Sequence, residues 1–354
     1  MKTPLKHGLV IASLSSALLA GCMSTTKVSN PIEIITNDNY IVNIPDAEFV
    51  PSKAELMGGK MAVVVLPVKI DSNATFETGA VRQISSELES GLITAGADIV
   101  DRNLASKLGD EILAYEATGQ FSGAGIDVAD VAILPAIHNV DIAKRFSAAR
   151  NWTDDDGDRH YTPPSCFYEA TVSGNVKFFE LPDLNETEAL TFKGTASNTM
   201  SINNSSCPVS QDLAYSLASQ ASGNGVYNIL PEIQQNFSQS GFVIEYRKRD
   251  NEHLVNINLG SNHKLKPGQK IKFARKVSRY NRLTEKTKIS TLPYDFTGVV
   301  SDLIEPDNAW VIVDEEAETQ LKYGDIAKTH FEQSIWDSMT KGGNIMDNLK
   351  NSFN

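Results

Sequence analysis

The stretch YEATVSGNVKF (residues 168–178) and its echo LTFKGTASNTM (residues 190–200) decide the fold. In the first, Tyr168, Ala170, Val172, Gly174, Val176 and Phe178 alternate with mostly polar neighbours. In the second, Leu190, Phe192, Gly194, Ala196, Asn198 and Met200 do the same. Successive side chains on a strand point to opposite faces, so this period of two reads as two long amphipathic strands. Pro182-Asp183-Leu184-Asn185 supplies the turn between them. A register pairing Gly174 with Gly194 places Cys166 opposite Ile202, five residues short of Cys207. A bond between these two cysteines therefore needs the chain to turn back after the second strand.

Upstream of this hairpin, Met61 to Ile70 is a continuous β-branched run that suits a buried strand. Val81, Ile84, Leu88 and Leu92 recur at helical spacing, with Gly96 as the C-cap glycine. Asp98 to Asp101 reads as a short strand, and Asn103 caps a second helix bearing Leu104, Leu108 and Ile112. Gly119 to Gly125 is a glycine-rich loop, and Val131 to Val140 a further buried strand. Downstream, Asp212 to Phe237 is helical with interruptions near Gly223 and Pro231, and Gly241 to Arg247 is a strand that closes this domain. The fold class read from this order is α+β, a mixed sheet with packed helices over residues 59–248, followed by a small all-β barrel.

The barrel, residues 249–330, follows from short alternating runs separated by glycine turns: His253 to Leu259, Lys270 to Val277, Thr297 to Leu303, Ala309 to Asp314 and Gly324 to Thr329. Residues 331–354 mix Ile335, Trp336, Met339 and Ile345 with polar side chains and read as a tail or docking helix.

The amino terminus sets the compartment. Lys2 and Lys6 precede a short apolar run ending in Leu19-Ala20-Gly21-Cys22, the form of a lipobox. The run is too short to span a bilayer permanently, so residues 1–21 read as a lipoprotein signal peptide and Cys22 as the lipidated residue. Met23 stands where an inner-membrane retention signal carries aspartate, which points to the periplasmic face of the outer membrane. Residues 22–58 are polar, contain Pro31, Pro45 and Pro51, and read as a lipidated tether with one short strand near Tyr40 to Ile44. In an oxidising periplasm the remaining cysteines, Cys166 and Cys207, favour a disulfide.

Removing residues 1–21 from the 354 leaves 333, with 30 Lys and Arg against 44 Asp and Glu, a net charge of −14. Yet Glu245 to Ser290 carries a local +9, so the remainder is about −23. Arg247, Lys248, Arg249, Lys270, Lys272, Arg275, Lys276 and Arg279 form a candidate contact surface for an anionic partner such as peptidoglycan, lipid headgroups or an acidic protein. Neutralisation of the chain's own acidic part is an equal alternative. Nucleic acid is excluded by compartment.

No catalytic constellation or cofactor motif emerges. The six histidines (His7, His138, His160, His253, His263 and His330) lack ligand spacing for zinc. Asp154-Asp155-Asp156-Gly157-Asp158 is dense enough to suggest Ca²⁺, but the calcium-loop spacing puts the first ligand position on Trp152 and the twelfth on Pro163. No serine sits in a nucleophile elbow, and the glycine pairs lack the rest of a nucleotide fingerprint. The expectation is a protein that is not an enzyme, with no metal and no cofactor.

One further pattern bears on function. Val65 to Pro67, then Ile99-Val100-Asp101-Arg102, then a helix with Glu111, a glycine loop and Ala129 to Ile133, resembles the domain shared by curli-secretion lipoproteins and the amino-terminal part of TolB. Penicillin-binding-protein activator lipoproteins and the flagellar T-ring accessory protein carry related domains. Val255 to Gly260 with Lys266-Pro267-Gly268 resembles the carboxy-terminal module of that flagellar protein. The resemblance implies a scaffold of a flagellar or secretion machine, with protein components of that complex as partners and a homo-oligomer as an option. A cell-wall synthase activator and a secretion pore are the alternatives. Curli-type pores insert two hairpins per subunit. Here Lys144 to Ser165 is too charged for a membrane hairpin, and Ile202 to Leu213 is too short.

Overall fold

The computed structural model describes residues 28–57, 59–71, 77–100, 109 and 129–333. The signal peptide and Cys22, the helix with Leu104, Leu108 and Ile112, Glu111, the glycine loop 119–125 and the tail beyond residue 333 lie outside the described residues.

The first unit is a mixed sheet in the order β3-β1-β4-β7-β8: β1 (Ala62–Val65), β3 (Asp98–Ile99), β4 (Val131–Ser147), β7 (Ser165–Glu180) and β8 (Asn185–Ser201). Short β2 (Lys69–Ile70) also pairs with β4. Pro67, which has no N–H to donate, falls in the gap that splits the expected Met61–Ile70 strand into β1 and β2. β1 is parallel to β3 and β4, and β4-β7-β8 are antiparallel. Helices α3 (Glu77–Ala95) and α4 (Gln211–Phe237) cover one face. Ile84, Leu88 and Leu92 from α3 and Leu217, Ala221 and Val226 from α4 are buried against Ile133, Ile137, Val172 and Val176 of the sheet.

The observed register of β7 on β8 differs by two residues from the pairing read from sequence. Val172 lies opposite Gly194, and Cys166 opposite Met200. Beyond Ser201 the chain does turn back. Asn204 accepts from the amides of Ser206 and Cys207, and Cys207 adopts a left-handed φ of 47°. Cys166 and Cys207, both buried, are joined in a disulfide.

α4 runs unbroken through Gly223 and Pro231. The glycines there serve close packing rather than interruption. A Cβ on Gly194 of β8 would lie 1.9 Å from the Ala221 carbonyl oxygen, and one on Gly225 would lie 2.9 Å from Phe192. Pro231 cannot donate to the Tyr227 carbonyl, and Gln333 Nε2 takes that place at 3.2 Å.

The second unit is a closed six-stranded antiparallel barrel in the order β10-β13-β12-β11-β14-β9. Its strands are β9 (Ser240–Arg249), β10 (Glu252–Ile257), β11 (Lys270–Asn281), β12 (Lys286–Ile304), β13 (Ala309–Val313) and β14 (Ile326–His330). Helix α5 (Glu316–Gln320) lies between β13 and β14. β9 belongs here and not to the helix-covered sheet. The tight turn at Asp250, with a left-handed φ of 53°, folds β10 straight back onto it, and β14 pairs its other edge. The interior is apolar, with Val243, Tyr246, Val255, Ile257, Ile271, Phe273, Phe296 and Val311 among its buried side chains.

Residues 28–57 are not a free tether. Helix α1 (Pro31–Thr36) seats Ile34, fully buried, against Leu254 and Trp310. Ile41 bridges to Arg247, Ile44 joins the barrel core, and Asp46 bridges to Tyr323. A short helix, α2 (Lys53–Met57), precedes the sheet unit. The segment is too short in apolar residues to form a core of its own, but it carries enough of them to complete the outside of the barrel.

Candidate functional site

Two hairpins overrun their sheets. One is the continuation of β4 and β7. Their ladder extends from Val131–Glu180 to Ser147–Ser165 and leads into β5 (Arg150–Thr153) and β6 (Arg159–Thr162), which pair only with each other among the described residues. Phe237 of α4 packs on Phe178 near the first end, and the barrel begins three residues later, so β5–β6 lies at the end of the sheet away from the barrel. Trp152 stacks on His160 with centroids 4.3 Å apart. Cross-strand partners share a face, so Trp152 and His160 occupy one face and Tyr161, opposite Asn151, the other. Trp152 is 43% exposed and Tyr161 64%.

The acidic cluster is the turn of this hairpin. Asp154 Oδ1 accepts from the Asp158 amide at 2.8 Å, and its Oδ2 lies 2.6 Å from His160 Nε2. The bond to His160, followed by the Asp158 amide, lowers the Asp154 carboxyl below its usual range. One carboxylate is thus committed to the turn itself. Among the described residues no group of three His, Cys, Asp or Glu side chains is arranged to hold a metal ion.

The second hairpin is the β11–β12 arm. Up to Ala274, β11 is held by β14. Beyond it, Arg275 to Asn281 pairs in the ladder only with Lys286 to Leu292 among the described residues. The ladder shifts register between Lys272 and Ala274, opposite Pro293, and a bulge beside a proline is a natural place for a strand pair to bend out of a barrel. Seven paired residues give an arm about 23 Å long. At its root, Arg275 lies over the Tyr294 ring, and the Tyr294 hydroxyl sits 2.6 Å from Asp325 Oδ2. Burial pushes the Asp325 carboxyl up and the Tyr294 hydroxyl up as well.

The structure divides the eight basic residues singled out in the sequence. Arg247 is buried and donates to Glu245 and to the carbonyls of Ile34 and Asn37, with its guanidinium over Trp310. Lys248 pairs with Glu318 at 2.7 Å, and Arg249 with Glu252 at 2.6 Å and Glu33 at 2.9 Å. Lys270 pairs with Glu332 at 2.6 Å, and Lys276 with Glu55 at 2.8 Å. These five neutralise the chain's own carboxylates. Arg275 is occupied by Tyr294, whereas Lys272 and Arg279 have no ion-pair partner among the described residues. Arg282, Lys286 and Lys288 share that state, so the arm's own unpaired positive charge lies towards its tip.

Sequence reading grouped the cations by proximity along the chain and missed this division, because the neutralising partners Glu33, Glu55, Glu318 and Glu332 are remote in sequence. It also passed over Trp152 and Tyr161. Their placement on either side of the Asp154–Asp158 turn was the available signal.

No protein-family model matches this chain, and no curated protein matches it. Solved structures show weak likenesses. One is a Helicobacter pylori protein assigned as a homolog of the neuraminyllactose-binding hemagglutinin, at 11% identity and a TM-score of 0.33, covering 51% of this chain and 89% of that one. PelC from Paraburkholderia phytofirmans, a dodecamer, has 14% identity and a TM-score of 0.21 over 50% of this chain and 93% of its own. A minor lipoprotein from Acinetobacter baumannii has 10% identity and a TM-score of 0.24, over 50% and 93%. The chain is thus similar to bacterial lipoproteins among others, at scores that carry no functional argument.

Proposed function

We propose that this chain is a lipid-anchored accessory or assembly factor of an envelope machine of flagellar or secretion type. It is tethered through acylated Cys22 to the periplasmic face of the outer membrane and works by holding protein partners rather than by catalysis. The observation that carries this reading is the β5–β6 hairpin. Exposed tryptophan and tyrosine supply large contact area at low entropic cost, and they are typical of protein-binding surfaces. Here Trp152 and Tyr161 stand on a two-stranded element that would be marginal alone and is held out at the far end of the sheet. The lipobox and the Cys166–Cys207 disulfide both suit an exported protein.

The test is in-cell photocrosslinking from position 161, with mass spectrometry of what is captured. Components of a basal body or secretion apparatus, lost on Trp152→Ala, are the expected result. Capture of a cell-wall synthase instead would move the function to activation of that enzyme. No partner at all from either aromatic position would overturn the docking reading.

A further inference from the structure

The barrel's connections sort to two ends. Taking β9 as rising to its turn with β10, the antiparallel pairings around the ring make β11 and β13 rise too, while β14, β12 and β10 descend. The β9–β10 turn, the β11–β12 arm and the β13–β14 connection therefore leave from one end. The chain enters from α4 at the other.

The amino-terminal segment is pinned at the first of these ends. The Ser29 amide and hydroxyl bond Glu252 at 2.6 and 2.7 Å, and Arg249 donates to the Ser29 carbonyl. Seven peptide steps separate Ser29 from Cys22, at most about 25 Å of extended chain. Acylation of Cys22, on which this argument rests, would hold the β9–β10 turn within that distance of the bilayer. The arm leaves from the same end.

The arm is two-sided. The pairs Arg275–Leu292, Arg279–Lys288 and Asn281–Lys286 put four cations on one face, beside Val277, while Ser278–Ile289 and Tyr280–Thr287 put two large apolar side chains on the other, beside Lys276, whose charge is paired with Glu55. Tyr280 is 62% exposed, Ile289 53%, and Leu283 at the tip 95%. Residues 275–292 carry a net +5.

We infer that the β11–β12 arm is a second membrane contact that seats on anionic phospholipid headgroups and fixes the barrel end-on to the bilayer. Arg279, Arg282, Lys286 and Lys288 meet the phosphates, and Leu283 and Tyr280 enter the interfacial layer. Lysine and arginine near an anionic leaflet are each attracted to it, and tyrosine settles at the headgroup level. An acidic protein would satisfy the cations but would leave the fully exposed leucine at the tip without a role. With the acyl chains already retaining the protein, the arm contributes orientation.

The experiment uses the mature chain carrying Cys22→Ala, so that no acyl group contributes, and vesicles of phosphatidylethanolamine with phosphatidylglycerol or of phosphatidylcholine alone. Salt-sensitive binding to the anionic vesicles only is expected. Reversing Arg279, Arg282, Lys286 and Lys288 to Glu should weaken it by on the order of 100-fold or more. Leu283→Asp should weaken it less. Arg150→Glu with Arg159→Glu, at the opposite end of the molecule, should bind as the parent does. No anionic-vesicle binding, or equal binding by the arm variant, would overturn the inference, and capture of an acidic protein without vesicle binding would reassign the arm to that partner. Palmitate labelling of the unaltered chain in cells tests the anchor separately. Vesicle binding without labelling would leave the arm's affinity standing and remove the lipid anchor, whereas labelling without vesicle binding would sink the arm alone.

Discussion

The two hairpins that overrun their sheets are built to opposite plans. The β4–β7 extension emerges where Cys166 of β7 is tied by a disulfide to Cys207 in the loop after β8, and its turn spends Asp154 on Asp158 and His160. The β11–β12 arm has no covalent closure, starts at a register shift beside Pro293, and leaves Arg279, Arg282, Lys286 and Lys288 without ion-pair partners among the described residues. The difference separates two ways of presenting a surface. A hairpin whose base is tied to the rest of its domain can offer aromatic side chains in one geometry, which suits recognition of a shaped partner. A hairpin with uncommitted charge suits a diffuse, fluid target, where position matters less than sign.

The largest effect should come from opening the staple. Replacing Cys166 and Cys207 together by Ala removes a link across a sequence separation of 41, and a loop of that size stabilises by roughly 4 kcal/mol in the chain-entropy account. The urea midpoint of the sheet unit should fall accordingly, while the barrel's transition stays put. A double variant that melts like the parent would erase the contrast between a stapled and an unstapled hairpin.

Next in size is the amino-terminal strap. Ile34→Ala deletes a fully buried side chain packed on Leu254 and Trp310, at a cost of about 3 kcal/mol. The checks are the Trp310 environment and protease sensitivity near residue 34. If neither changes, the segment behaves as a free tether and the short leash to Cys22 disappears with it.

The strap marks where sequence reading stopped. The apolar residues it seats, Ile34 and Ile44, are too few and too irregularly spaced to show a period, so they are legible only once Trp310 and Tyr323 are in place to receive them. The long strands, α3 and the barrel were readable because their alternation and helical spacing persist over many residues. The disulfide was readable from cysteine count and compartment, although the register placed Cys166 two residues off, since alternation fixes which face a residue takes but not its partner. β9 was assigned to the wrong sheet for the same reason: its pattern says strand, and only the turn at Asp250 says which ladder it joins. For the site, clustering of cations was visible and neutralisation by the chain's own carboxylates stood as an equal alternative, but which cations are neutralised, and by Glu33, Glu55, Glu318 and Glu332, was not.

A smaller effect separates the barrel from the sheet unit by pH. His253 is buried with Nδ1 2.9 Å from the Tyr246 hydroxyl and Nε2 unpartnered. Burial, helped by Lys248 and opposed by Glu318, Glu315 and Asp314, holds its imidazole below the usual value. Its folded value is lower than its unfolded one, so the unfolded chain takes up the proton first. The contribution is complete above about pH 6.5 and is lost on acidification below it. His253→Gln should flatten that part of the barrel's pH profile relative to the parent. An unchanged slope would place the acid sensitivity on other groups.

The smallest effect tests how the arm's root is held. Among the described residues Lys276 is the one arm cation with an ion-pair partner in the strap, Glu55, whose carboxyl is lowered to about 2 by its bond to Lys276 and then by Ser52. The pair is exposed, and such pairs contribute little to stability. Its value lies in what it reports, because it forms only while the strap lies along the arm. Lys276→Ala should leave the melting temperature nearly unchanged and move the Glu55 titration, read by carboxyl NMR, up towards the ordinary range. It should stop short of that range, since Ser52 still donates to the carboxylate through its amide and hydroxyl. A Glu55 that already titrates normally in the parent would mean that strap and arm part company in solution. The arm's orientation would then be set by the register shift beside Pro293 and by Arg275 over Tyr294 at its root.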